Sequence, residues 1–191
     1  MKKSRNNAKT VKIKKKDSFL SITLKHQKEV NSQINDNLKT DFMDKFVVEV
    51  ISNKNLKNLT GLFLELWPDC DFDEELENCK EILSAENETC ILIKVNSNYV
   101  AFIQLAIRSD YVEGSTHSPT AYIEGIYVKE NYRHLGLSKK LLKLAEEWGK
   151  QKNCKQLASD TELSNSGSIE FHKRVGFQEV NRIVCFIKDI S

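Results

Sequence analysis

Residues 122–149 restrict the folds open to this chain more than any other stretch. They begin Tyr-Ile-Glu-Gly-Ile-Tyr-Val, pass through a short turn at Arg133-His134-Leu135-Gly136-Leu137-Ser138, and end in a run where leucines and Trp148 recur at helical spacing. The β-branched and aromatic residues of the first part predict a strand. The period of the last part predicts a helix burying Leu137, Leu141, Leu144, Ala145 and Trp148, with Lys139, Lys140, Lys143 and Glu147 on the wet side. A glycine-containing turn that opens a helix aims several backbone N–H groups at one point, and the helix dipole adds positive potential there. Such a turn suits a phosphate or pyrophosphate. The N–H groups from Leu135 through Ser138 form the expected cradle, with Arg133 and Lys139 as auxiliary charges. The turn has neither G-x-G-x-x-G nor a Gly-Lys-Ser/Thr ending, which separates it from dinucleotide folds and nucleoside triphosphate loops.

The rest of the chain supplies a sheet and helices around that unit. Residues 46–50 read as a strand, and Leu56, Leu59, Phe63 and Leu66 share one side of a helix that Pro68 stops. A second helix is expected over 74–83, its acidic first turn matched to the dipole, with Asp71 or Asp73 as its cap. Residues 90–94 and 99–107 predict an antiparallel hairpin turning at Asn96-Ser97-Asn98. A polar loop follows over 108–119, punctuated by Gly114 and Pro119. Further on come a strand at 155–160, a helix over 168–175 stopped at Gly176, and a last strand over 180–187. That order predicts an α/β fold: one mixed central β-sheet with helices on both faces.

At 191 residues the chain suits one domain with a sizeable core. Its formal charge of +2 hides an asymmetry, since residues 1–42 carry eleven Lys or Arg against four Asp or Glu. The remainder is net acidic, with eighteen against twenty-three. We therefore divide the chain into a basic, flexible extension (1–42) and a folded domain (43–191), for which Met43 is a natural first residue. Residues 19–24 are apolar enough for a short helix or strand but specify no domain. A cationic tail can touch nucleic acid, but nucleic-acid binding is not expected of a solvated extension. An acidic body favours a cationic small molecule. No apolar run reaches membrane-spanning length, and no signal sequence is read at the N-terminus, so a cytoplasmic protein is expected. Five cysteines without a paired C-x-x-C pattern point to free thiols.

Two motifs carry a family resemblance. Arg133, Gly136 and Ser138 fall on a pyrophosphate turn of the form Gln/Arg-x-x-Gly-x-Gly/Ala, with Ser in the last small position. Asn165, Ser168, Phe171, His172, Gly176 and Phe177 follow the spacing of a final helix and its Gly-Phe end. On these motifs residues 46–190 resemble the acetyl-CoA-dependent N-acetyltransferase superfamily. Within it, Leu66-Trp67-Pro68-Asp69, the run from Ile107 to Gly114, the run from Ser118 to Val128, and Ala158-Ser159-Asp160 resemble the aminoglycoside 6′-N-acetyltransferases. The resemblance implies the acetyltransferase fold, acetyl-CoA as cosubstrate, no metal, a homodimer, and acetylation of an aminoglycoside 6′-amine, which confers antibiotic resistance. It implies that Ile126, Val128, Arg133, His134, Leu135, Gly136, Leu137, Ser138, Lys139 and Asn165 line the cofactor. Trp67, Asp69, Tyr111, Glu113, Thr116, His117, Glu124 and Asp160 are the expected substrate residues. Some relatives carry an acidic residue at the place of Thr116.

The chemistry narrows the catalytic candidates. An amine must be neutral to attack a thioester, so a carboxylate or a carboxylate-held water accepts its proton, and backbone N–H groups steady the oxyanion. Asp160, at the end of a strand, is the first choice for amine binding and base duty. Glu124 is the second, acting through water, and strand periodicity puts Tyr122 on the same side. By the resemblance, His172 stands where many members place a tyrosine that protonates the departing thiolate. Asp69, Asp71, Asp73, Glu113 and Asp160 together would make an acidic groove for a polycation, with Trp67 and Tyr111 flanking sugar rings. The competing readings are another polyamine, peptide or protein amine as acceptor, or a binding module that works through the tail.

Overall fold

The structure, a computed structural model, describes residues 46–190. The expectations for the basic extension, for residues 19–24 and for a start at Met43 lie outside the described residues. In chain order the elements are β1 (Phe46–Val50), α1 (Leu56–Leu66), α2 (Phe72–Ser84), β2 (Glu88–Val95), β3 (Asn98–Arg108) and β4 (Thr120–Val128). A 3-10 turn (Glu130–Tyr132), α3 (Leu137–Gln151), β5 (Leu157–Ser159) and α4 (Ser166–Arg174) complete them. The strands form one sheet in the order β1-β2-β3-β4-β5. Each neighbouring pair among the first four is antiparallel, and β5 runs parallel to β4.

Local signals account for most element ends. The α1 helix stops at Leu66, two residues before Pro68, and buries Leu56, Leu59, Thr60, Leu62 and Phe63. Asp71 is the cap of α2: its carboxylate accepts from the Asp73 N–H at 2.8 Å and the Glu74 N–H at 3.2 Å. Asn96 takes a left-handed φ of 55° in the hairpin turn, a conformation that asparagine tolerates.

Strand alternation sorts the core into two layers. Cys90, Leu92 and Phe102 pack with α1 and α2, and Phe63 meets Phe102 at a ring separation of 4.8 Å. The intervening residues, Ile91, Ile93, Ala101, Ile103 and Leu105, turn to the other face. There α3 lies, close enough that Gly149 sits against Ala121. Phe63, Phe102, Leu92 and Ile103 are fully buried, each contributing about 1.5–3 kcal/mol.

Two expectations need correction. The buried stripe of α3 is Leu137, Leu141, Leu142, Ala145 and Gly149, with Leu144 and Trp148 only half-buried. Helix packing selected the neighbouring row because Gly149 lets α3 approach Ala121 where a larger residue would stand off. Residues 180–187 form no strand; 178–190 is irregular and exposed, with Phe186 at 92% and Ile187 at 98% exposure. A strand needs a hydrogen-bonded neighbour, and among the described residues no strand pairs with this segment.

Candidate active site

The site grows from an interruption of the sheet. β4 spans nine residues, yet it pairs with β5 only at Ala121↔Leu157, Tyr122↔Ala158 and Ile123↔Ser159. The next residues on the two chains are Glu124 and Asp160, so the two candidate carboxylates stand where the strands part. Glu124 is also the extra residue of a β-bulge, because Gln104 pairs with Gly125 and Leu105 with Ile123. From Glu124 to Val128 the β5-facing edge of β4 has no strand beside it among the described residues, and Ile126 and Val128 lie along that edge. An open strand edge offers backbone N–H and C=O groups to an extended ligand.

That edge leads into the expected turn. Residues 130–132 make one 3-10 turn, after which His134 and Gly136 both take left-handed conformations, at φ 64° and 88°. Gly136 is the residue before α3, and among the described residues no side chain caps the N–H groups of the first turn. The Arg133 Nε donates to the Val128 carbonyl at 3.0 Å, fastening the turn to the end of β4. Ser138 follows in the first helical turn beside exposed Lys139, and Leu135 is half-buried. The geometry matches an anion cradle in which His134 supplies an unforeseen second left-handed residue.

The acceptor side is held by a connected polar network. Arg108 donates to Glu124 through Nε at 3.1 Å and through Nη2 at 2.8 Å to each carboxylate oxygen. Its guanidinium lies 3.4 Å from the Tyr122 ring centroid. Burial pushes the Tyr122 hydroxyl up to about 12, and the charge and hydrogen bond of Asp160 push the same way. Tyr122 is 6% exposed, whereas Asp160 is exposed at the strand end. Tyr122 and Glu124 therefore meet the same guanidinium, as alternation predicts.

Asp160, Tyr122, Glu113 and His172 line one cleft of about 270 Å³, closed in part by Leu163, Ile169 and Phe177. The His172 Nδ1 lies 2.8 Å from the Ser168 carbonyl, which only accepts, so Nδ1 carries the hydrogen. Its Nε2 is buried with no hydrogen-bond partner among the described residues. Phe171 and Phe177 flank the ring edge-to-face at 5.5 and 5.2 Å.

Known proteins resemble this chain in sequence and fold. The model of the acetyltransferase (GNAT) family matches residues 53–177. The chain belongs to that family. An aminoglycoside N(6′)-acetyltransferase type 1 of Serratia marcescens is 34% identical over 146 residues, covering 76% of this chain and all of the relative. One of Acinetobacter baumannii is 34% identical over 142 residues, 74% of this chain and 97% of its own. Among solved structures, AAC(6′)-Iy bound to a bisubstrate analogue of CoA and acetylneamine superposes with a TM-score of 0.73 at 31% identity. It matches 76% of this acetyltransferase and 99% of its own chain.

The remaining candidates divide by what their side chains do. Trp67 ends α1 and stacks edge-on against Phe63 at 5.2 Å; a Cβ built on Gly125 would stand 2.7 Å from its ring. Glycine at 125 thus lets the indole lie against β4, one residue from Glu124. Tyr111 is 81% exposed and donates to Glu113 at 2.8 Å. Asn181 donates to the other Glu113 oxygen at 2.8 Å, and these two bonds lower the carboxyl, Asn181 the more. Asp69 and Asp73 are exposed, but the Asp71 carboxylate is spent on its helix cap, which removes it from the expected acidic groove. Thr116 and His117 are absent from the cleft lining. The Thr116 hydroxyl and N–H both bond the Gln156 side chain, and His117 Nδ1 lies 2.9 Å from the Thr116 hydroxyl. Asn165 caps α4 by accepting from Ser168 N–H at 3.0 Å. All five cysteines are free thiols, and Cys154 is buried.

Sequence reading missed the anchoring residues Gln156 and Asn181, and it gave Arg108 no role. Arg108 carried one usable signal: it ends a strand that pairs with the strand bearing Glu124.

Proposed function

We propose that this protein transfers the acetyl group of acetyl-CoA to the 6′-amino group of aminoglycosides, lowering the charge of the drug and so conferring resistance. Relatives named for that activity match this chain over nearly their full length, which supports the substrate class. The structural observation that carries the reading is the juxtaposition of Glu124 and Asp160 where β4 and β5 separate, beside an unpaired strand edge. That edge and the Gly136 turn suit a pantetheine arm and a pyrophosphate, and Arg133, Ser138 and Lys139 are proposed to assist there. When bound, acetyl-CoA supplies the thioester carbonyl.

Asp160 receives the substrate ammonium and takes its proton, while Glu124 orients a water on the same face. Backbone donors along that edge of β4 steady developing negative charge on the acyl oxygen. His172 stands ready at the departing sulfur. Because Nδ1–H is engaged by Ser168, it delivers a proton from Nε2 only as the imidazolium. Trp67, Asp69, Tyr111 and Glu113 form the sugar-binding rim, with Thr116 and His117 shaping its loop. Positioning within a ternary complex supplies much of the rate advantage.

Acetyl-CoA turnover with aminoglycosides differing only at the 6′ group tests this reading. Turnover is expected with the 6′-amine and lost without it, and the acetylated nitrogen is then mapped. Turnover that ignores the 6′ group, or that appears only with peptide amines, overturns the assignment.

Two further properties belong to the same proposal. Bacterial relatives named for acetylating aminoglycosides, drugs that act on ribosomes, favour a cytoplasmic enzyme; no described helix is long and apolar enough to cross a membrane. The exposed apolar row of Val180, Ile183, Val184, Phe186, Ile187 and Ile190 favours a homodimer that covers it. Sedimentation of the full chain as a monomer at micromolar concentration would remove the dimer.

A further inference from the structure

We propose that Arg108 is the positioning residue of the acceptor site, fixing the two carboxylates in different jobs. The inference rests on the reading above for its substrate, and on geometry for its mechanism. Arg108 ends β3 and pairs with Thr120 at the start of β4, at the far end of that strand from the Gly136 turn. Eight residue steps of β-strand separate Thr120 from Val128, roughly 26 Å.

From that position one guanidinium does two things. Its fork takes both oxygens of Glu124, so that carboxylate has a fixed orientation and a cation already at its face. Its flat surface covers the Tyr122 ring, which lines the same cleft as Asp160 and whose hydroxyl that carboxylate's charge helps to raise. The contacts thus run from Glu124 through Arg108 to Tyr122, beside Asp160, joining the end of β3 to the stretch of β4 where β5 leaves it. Since Glu124 is already paired, an arriving ammonium finds Asp160 as the open anion at the strand fork. Arg108 touches neither the expected amine nor the cofactor turn; it acts by holding the groups that do. The side chain of Arg108 is 42% exposed and that of Glu124 28%, so the pair adds little to folding, and its value lies in orientation.

A lysine cannot replace this arrangement in full, because it offers a point charge with neither a fork nor a flat face. The test is steady-state kinetics on the full-length protein for R108M, R108K, E124Q and R108M/E124Q, with melting curves confirming that each variant is folded. R108M is expected to lower kcat at least tenfold while leaving the KM for acetyl-CoA within twofold. R108K should recover part of that loss. The double variant should be no slower than the slower of the two single variants, because both substitutions break one interaction. A kcat within twofold of wild type in R108M overturns the proposal. So do losses that multiply in the double variant, or a KM for acetyl-CoA that rises with the fall in kcat. Ratios are read on whichever amine the wild type acetylates, so failure of the aminoglycoside reading shows in the wild type alone and is separate from failure here.

Discussion

The two sides of the sheet are built to different standards. Where β2, β3 and β4 meet α1 and α2, Phe63, Phe102, Leu59 and Leu92 are wholly buried and aromatic rings interlock. Across β4, β5 has three residues, all half-buried, and α4 has no buried residue at all. Continuous pairing and close packing make the first side a rigid reference. The second side is a short edge held by three register pairs, and all three catalytic candidates lie on it or at its border: Glu124, Asp160 and His172. A close-packed layer leaves no room for two substrates, whereas an edge with no support cannot aim a proton acceptor to within a fraction of an ångström. The border satisfies both requirements, and Arg108 spans it.

This contrast can be broken by substitutions that should dissociate stability from activity. The largest effect is expected for Phe102→Ala, which empties the packed side and should cost about 3–5 kcal/mol of unfolding free energy in denaturant titrations. A loss below 1 kcal/mol would mean that the two sides do not differ as described. Next is Asp160→Asn, which should lower kcat about 10²–10³-fold, or about 3–4 kcal/mol of transition-state stabilisation, with an unchanged melting temperature. A melting shift of several degrees without a rate loss would reassign Asp160 to structure. Asn165→Ala removes the cap of α4 and should cost about 1 kcal/mol locally, read as faster amide exchange in the turn that begins at Ser168. The smallest effect is on pH dependence. The hydroxyl of Tyr122 is raised to about 12 in the folded state. Below pH ~10, the ordinary value for tyrosine, it is protonated whether the chain is folded or unfolded, so its contribution is fully present. Between there and pH 12 only the unfolded chain ionises, so stability should fall with rising pH. Tyr122→Phe should make that decline shallower, and an unchanged slope would count against burial as its cause.

Elements whose signals are local were legible in the sequence. Pro68 and Asp71 mark the junction of α1 and α2, Asn96 marks the hairpin, and Gly136 marks the entry to α3. The place of Asp160 at a strand end was legible too, because strand length fixes it, whereas the bulge that holds Glu124 inside β4 was not. Side-chain partnerships across the chain were not. Nothing near Asp71 distinguishes a carboxylate serving two backbone N–H groups from one awaiting a polycation. Nothing near Thr116 reveals that Gln156, forty residues on, holds it. The residues expected as a last strand show the limit most clearly: Val180, Val184 and Phe186 have strand character, but a strand is a relation between two segments, and composition describes only one of them.

The contact of Trp67 with Gly125 has a consequence for how such an enzyme can diversify. A resistance protein meets new drugs and is under pressure to reshape the pocket that receives them. At residue 125 it has no latitude, since even a methyl group would evict the indole from beside the bulge and disturb Glu124 next to it. Tyr111, standing almost free in solvent, carries no such constraint. Changes of drug spectrum should therefore enter through the rim around Tyr111 and leave the floor at Gly125 untouched.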